Sequence, residues 1–224
     1  MNEFRAVSFE VSPGRSVSGR LMHPDGARAC LVLAHGAGAG MDHPSVALVA
    51  SGLSDRGIAT FRYQFPFMQA GSKRPDSPPL AHATVRAAVT EAARLLPGVA
   101  LVAGGRSFGG RMTAQAQALE PLPNVRGLAF LAFPLHPAGR PSTERPTHLA
   151  DVDLPLLFLQ GTNDALAEVS LIRSVVADLG PGATLHTVDG ADHAFHVPAR
   201  SGRKDVEVMA EVLDVLARWV RRVV

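Results

Sequence analysis

Residues 99–119 read VALVAGGRSFGGRMTAQAQAL: an apolar run, four glycines set around one serine, and then a stretch with helical spacing. A short apolar run that ends in glycine is what a strand buried on both faces looks like, and the segment from Phe108 to Leu119 reads as the helix after it. Gly105-Arg106-Ser107-Phe108-Gly109 is therefore a G-x-S-x-G pattern at a strand-to-helix junction. In that setting the pattern holds a serine hydroxyl outward on a strained turn, which leaves room only for small residues two positions either side of the serine. Gly105 and Gly109 occupy both places. A flexible linker has no reason to show this order.

Working outward, the same alternation recurs. Residues 4–11 and 16–22 flank Pro13-Gly14 and predict an antiparallel hairpin, and ACLVLAH (29–35) predicts a strand buried on both faces. His43 to Asp55 reads as a helix with Val46, Val49, Ala50 and Leu53 on one side and Gly57 as its stop, followed by the strand IATFRY (58–63). A long loop from Gln64 to Pro79 leads to a helix carrying Val85, Val89, Ala92 and Leu96 on one stripe. Beyond the serine come the strands VRGLAFLAF (125–133) and LPLLFLQ (154–160), a helix from Ala165 to Leu179, the strand ATLHTV (183–188), and a last helix from Asp205 to Val220. Strands alternating with helices predict an α/β fold with a mostly parallel central sheet of about eight strands, flanked by helices. With 224 residues and no linker-like segment, residues 1–224 are expected to form a single domain.

Composition narrows the classes. Hydrophobic residues make up 46% of the chain and charged ones 19%, which suits a globular protein and not a disordered or collagen-like one. The net charge is +2 and the pI about 9.2, but all the basic residues except Lys73 and Lys204 are scattered arginines, with no basic stripe interleaved with aromatics. Nucleic acid is thus not an expected partner. The one cysteine, Cys30, lies in an apolar run and excludes an internal disulfide. The start, MNEFRAVSFE, has no apolar signal core, and no stretch approaches the length of a membrane span, so a cytoplasmic protein without membrane contact is expected.

A serine becomes a nucleophile only when a base takes its proton, and a histidine base needs an acid to fix its tautomer. For a serine on this type of turn the order along the chain is serine, acid, histidine, the last two on loops after later strands. Asp164, in Gln160-Gly161-Thr162-Asn163-Asp164, follows a strand and falls at the carboxyl edge of the sheet, whereas Asp151 and Asp153 precede that strand. Gly190-Ala191-Asp192-His193-Ala194-Phe195-His196 follows the last strand and offers two histidines; His193, in the tighter turn, is preferred to His196. An oxyanion formed at the serine needs backbone donors, and Phe108 N–H and Ala37 N–H, from the loop His35-Gly36-Ala37-Gly38-Ala39-Gly40, stand where these are required.

Other readings are weaker. The glycine loop misses the dinucleotide pattern because Met41 stands at its last glycine and the next strand ends in Arg62-Tyr63 with no acid for a ribose. Asp42-His43 and the pair His193 and His196 lack the converging ligands of a metal site. No cofactor and no metal are expected. His136 and His148 are open to either a pocket or a solvated-loop reading; Arg106 and Arg111 can anchor an acidic substrate group or, more simply, pair with nearby carboxylates.

With these motifs in order, the chain resembles the α/β-hydrolase superfamily from end to end. HGAGAGMDHP, FRYQFPFMQAGSKRPD, GGRSFGGRM, PLHPAGRP and QGTND are similar to a compact bacterial branch, related to dienelactone-hydrolase-like proteins and to the α/β domain of a subunit of the NSL histone acetyltransferase complex and its testis-expressed homologue. The resemblance implies a Ser-Asp-His triad of Ser107, Asp164 and His193 and no cofactor. Dienelactone hydrolases themselves carry a cysteine where this chain has Ser107, which argues against their lactone substrate. The span from Pro134 to Asp153 is too short for a helical cap, so an open pocket is expected, walled by Tyr63, Phe65, Pro66 and Phe67 with Leu135 and His136. The expected activity is hydrolysis of a small carboxylic ester or thioester; the alternative is a scaffold with an unused triad, and the sequence leaves a homodimer open.

Overall fold

The computed structural model describes residues 4–143 and 147–224. These form an eight-stranded sheet: β1 (Arg5–Ser12), β2 (Arg15–Met22), β3 (Ala29–Ala34), β4 (Ala59–Tyr63), β5 (Ala100–Arg106), β6 (Val125–Leu131), β7 (Leu156–Gly161) and β8 (Ala183–Val188). Their spatial order is β1-β2-β4-β3-β5-β6-β7-β8. β2 runs antiparallel to both of its neighbours and every other pairing is parallel. The chain lays β4 on one side of β3 and then crosses to place β5 on the other. That reversal puts a crevice at the carboxyl ends of β3 and β5, the place where open α/β sheets bind ligands.

The helices α1 (Pro44–Ser54), α2 (Pro66–Gln69), α3 (Pro78–Leu95), α4 (Phe108–Leu119), α5 (Val169–Asp178) and α6 (Asp205–Val223) complete the layers. Because side chains alternate along a strand, Cys30, Val32 and Ala34 of β3 face the layer that holds α3, α4 and α5. Leu31 and Leu33 pack with α1 and α6 on the opposite face, where Val208, Val212, Leu216 and Trp219 form the apolar side of α6. Cys30 has no exposed surface, and burial pushes its thiol up to about 12. Among the described residues no helix is long and apolar enough to cross a membrane. Between β6 and β7 the described residues hold one 3-10 turn, Thr147–Asp151, and no α-helix, so there is no cap.

Three boundaries differ from the sequence reading, each for a local reason. The loop from Gln64 is not wholly irregular: α2 forms within it, its Phe67 N–H donating to Asp76 Oδ2 at 3.1 Å, and α3 starts on Pro78, inside the span read as loop. β6 stops at Leu131, short of Phe133, because Ala132 takes a left-handed backbone (φ 56°). The helix expected from Ala165 begins only at Val169. The Leu166 N–H donates to Asp164 Oδ1 and the Glu168 N–H to His136 Nε2, so these residues are held in a turn before the helix begins.

Candidate active site

Ser107 sits between the end of β5 and the start of α4 with φ 49° and ψ −116°, a conformation that side-chain-bearing residues avoid. The register holds it there: Ala34 of β3 lies opposite Gly105, Leu131 of β6 lies opposite Arg106, and the Ser107 N–H donates to Leu131 O at 3.1 Å. A Cβ on Gly105 would lie 2.4 Å from Ala34 O, and one on Gly109 would lie 2.5 Å from His35 O. Both glycines are therefore required by close approach to β3 and the loop after it. Gly110 has a similar duty, since its Cβ would come within 2.8 Å of Gly105 O and hold α4 off the sheet.

Asp164, on the loop after β7, is 3% exposed. Its Oδ1 accepts the Leu166 N–H at 2.8 Å, while Oδ2 accepts from Gln160 Nε2 and lies 2.7 Å from His193 Nδ1. His193 Nε2 in turn lies 2.9 Å from Ser107 Oγ. The Asp164 carboxylate accepts a hydrogen bond from the Nδ1–H of His193, which leaves the Nε2 lone pair directed at the serine hydroxyl. The three residues singled out from sequence thus meet in one continuous hydrogen-bonded chain.

The loops that carry the acid and the histidine are tied to each other. Asn163 N–H donates to Ala191 O at 2.9 Å, Asn163 Nδ2 to Gly190 O at 3.1 Å, and Gly190 N–H to Thr162 Oγ1 at 2.8 Å. Asp192 then folds the turn, its Oδ1 accepting the N–H groups of Ala194 and His196 at 2.7 and 2.9 Å. Phe195, 2% exposed with φ 61°, anchors the turn in the layer beneath. His196 faces away: its Nδ1 is 2.8 Å from Asp205 Oδ2, and this bond raises the histidine pKa.

The glycine loop after β3 lies against the serine turn, with Ser107 Cβ and Arg106 O each 3.8 Å from where a Gly36 Cβ would be. Among the described residues neither the Ala37 nor the Phe108 N–H has a hydrogen-bond partner. The loop is braced from below. Gln64 Oε1 accepts the Met41 N–H at 2.8 Å, and His35 uses both ring nitrogens, Nε2 accepting the Phe65 N–H at 3.0 Å and Nδ1 donating to Gly36 O at 2.7 Å. Burial lowers the His35 pKa to about 4, so this imidazole is neutral and its tautomer is set by the Phe65 N–H.

Several expectations need correction. Tyr63, Phe65, Phe67 and Leu135 are no more than 4% exposed and belong to the core, packed ring to ring in the case of Tyr63 with Phe65 and of Phe65 with Phe67; only Pro66 of the expected walls is half-buried. His136 is also buried, donating from Nδ1 to Pro137 O and accepting the Glu168 N–H, so it fastens the connection to the acid loop instead of lining a pocket. His148 is half-buried, its ring 6.4 Å from that of Phe133. Arg106 pairs with a carbonyl, its Nη2 donating to His193 O at 3.2 Å, and no carboxylate among the described residues lies within 4 Å of it. The Arg111 guanidinium stands 6.0 Å from the centre of the Phe108 ring.

Gln160 and His35 carry weight that the sequence reading did not assign. Gln160 is fully buried and also accepts the Phe133 N–H at 2.9 Å, so it fixes the Asp164 carboxylate from behind. The available signal was a polar residue closing an otherwise apolar strand, in Gln160 at the end of LPLLFLQ and His35 after ACLVLA.

Residues 27–221 match the alpha/beta hydrolase domain family. The chain belongs to that family. The fold of this α/β-hydrolase is also similar to solved structures across nearly its whole length. A dienelactone hydrolase from Anabaena variabilis superposes with a TM-score of 0.80 at 21% identity, covering 99% of this chain and 98% of its own. XC6422 from Xanthomonas campestris, described as an a/b serine hydrolase without lid, gives 0.74 at 21% identity over 98% and 96%. Est1E from Butyrivibrio proteoclasticus with ferulic acid bound gives 0.70 at 16% identity over 94% and 99%.

Proposed function

We propose that this α/β-hydrolase is a serine hydrolase that works through an acyl-enzyme on small carboxylic esters or thioesters. The observation that carries the reading is the chain from Ser107 Oγ to His193 Nε2 at 2.9 Å and from His193 Nδ1 to the buried Asp164 Oδ2 at 2.7 Å. Ser107 Oγ attacks the substrate carbonyl carbon as His193 Nε2 takes the hydroxyl proton. The carbonyl oxygen becomes an oxyanion, which accepts from the N–H groups of Ala37 and Phe108. Collapse breaks the bond to the alcohol or thiol, which leaves with the proton from His193, and the acyl group stays on Ser107. Water then gives a proton to His193 and attacks the acyl carbon, releasing a carboxylic acid and restoring the serine. Asp164 stays ionised throughout, holding the imidazole and stabilising its charged form.

Small substrates are proposed because, with no cap over the crevice, few side chains are left to enclose a large one. Hydrolysis of p-nitrophenyl esters and acyl-coenzyme A thioesters from acetyl to octanoyl, with Ser107→Ala as control, tests the reading. Turnover that falls as the acyl chain lengthens and vanishes in Ser107→Ala is expected. Folded protein inactive on the whole series, or a Ser107→Ala protein as active as the parent, would remove it.

A further inference from the structure

Directly behind the serine and the histidine, on the face covered by α1 and α6, lies a cavity of about 190 Å³. Leu33 and Leu131 come to it from the sheet, Val46 and Val49 from α1 and Met209 from α6. Leu48, 46% exposed, stands at its rim. Neither Ser107 nor the N–H groups of the glycine loop line it, and the Phe65, Phe67 and Phe108 cluster belongs to the opposite layer.

One cation lines this apolar space: Arg106, half-buried, the residue before Ser107. Of the five N–H donors of its guanidinium, Nη2 supplies one to His193 O, and among the described residues no other hydrogen bond and no ion pair engages the group. Burial depresses its pKa against the opposing charges of Asp192 and Asp164, neither of which is in ion-pair contact with it. The acids nearby are committed elsewhere. Asp205, which also lines the cavity, accepts from His196 and from the Val197 N–H; Asp192 accepts two backbone N–H groups; Asp164 holds His193. An apolar chamber with one uncommitted guanidinium has the chemistry to take an apolar tail ending in a single carboxylate.

We infer that this cavity is a binding site for a small apolar monocarboxylic acid, its hydrocarbon part against Leu33, Val49, Leu131 and Met209 and its carboxylate on Arg106. The ligand would share Arg106 with the His193 carbonyl, so occupancy reaches the histidine loop from behind. The acid released at Ser107 is one such ligand, a link that rests on the reading proposed above; binding itself does not depend on catalysis.

Isothermal titration with hexanoate and with hexanamide tests the site without reference to turnover. One hexanoate per chain is expected to bind, about tenfold or more tighter than the amide, because only the acid makes a charge-assisted bond to Arg106. Met209→Trp, which fills the chamber, should abolish binding of both while circular dichroism keeps the parent's signal; Leu48→Trp blocks the rim if the first variant does not fold. Arg106→Gln should bring hexanoate down to the affinity of hexanamide. No binding to folded protein, equal affinity for acid and amide, or binding that survives a filled chamber would each overturn the assignment.

Discussion

At the scale of single residues, the arrangement around Ser107 divides into atoms proposed to react and atoms that hold them. Asp164 is held by Gln160 and the Leu166 N–H so that one oxygen meets His193. Asp164→Asn should therefore lower kcat by about 10⁴-fold with little change in stability, because the amide can donate to Nδ1 and favour the wrong tautomer. Steady-state kinetics with circular dichroism checks this. The two histidines of the GADHAFH turn separate in the same assay: His193→Ala should remove activity, while His196→Ala, which loses only an exposed pair with Asp205, should stay within a few fold of the parent. His35 acts through stability instead. Its folded pKa of about 4 lies below the usual 6.5, so the unfolded chain binds the proton more readily, and stability is fully present above 6.5 and is lost as pH falls toward 4. The loss is on the order of 3 kcal/mol. Chemical denaturation across that window should show the decline, and His35→Gln should flatten its pH dependence.

At the scale of elements, the serine turn works because β5, β3 and α4 come closer than side chains would permit. Gly105→Ala forces a Cβ to 2.4 Å from the Ala34 carbonyl oxygen and 2.7 Å from the Ala34 Cβ, with nothing flexible to yield. Overpacking of this kind costs about 1–3 kcal/mol, and the shift in denaturation midpoint measures it. Trp219, 4% exposed on α6 and packed over Gly127, closes the opposite layer. Trp219→Ala should cost about 3–5 kcal/mol by the same measurement. Much of this level was legible beforehand: apolar runs marked the buried strands, and glycine spacing marked the turn that holds Ser107. What could not be read were places where tertiary contacts overrule local pattern. The helix read from Ala165 begins at Val169 because Asp164 and His136 take the N–H groups of Leu166 and Glu168, and neither bond leaves a trace in the spacing.

At the scale of the whole molecule, topology decides where the loops of the candidate site meet, and packing decides which side chains are left to wall it. Ser107, Asp164 and His193 each follow a strand, so the loops that carry them meet at the carboxyl edge of the sheet, where the three side chains lie within hydrogen-bond reach. The aromatics of the loop after β4 could not be placed that way. Tyr63, Phe65 and Phe67 alternate with Arg62, Gln64 and Pro66, a pattern that also suits pocket walls, yet they fill the layer beneath α3 and α4, where burial of their rings contributes more than exposure at a crevice would. The uncapped crevice at the carboxyl ends of β3 and β5 is left to Ser107 and the glycine loop.

Activation of Ser107 as a nucleophile can be read without knowing the substrate. Treatment of the folded protein with a fluorophosphonate probe, followed by peptide mass spectrometry, should give one adduct, on Ser107, with labelling abolished in His193→Ala. Folded protein that takes no label, or takes it on another residue, would contradict the account.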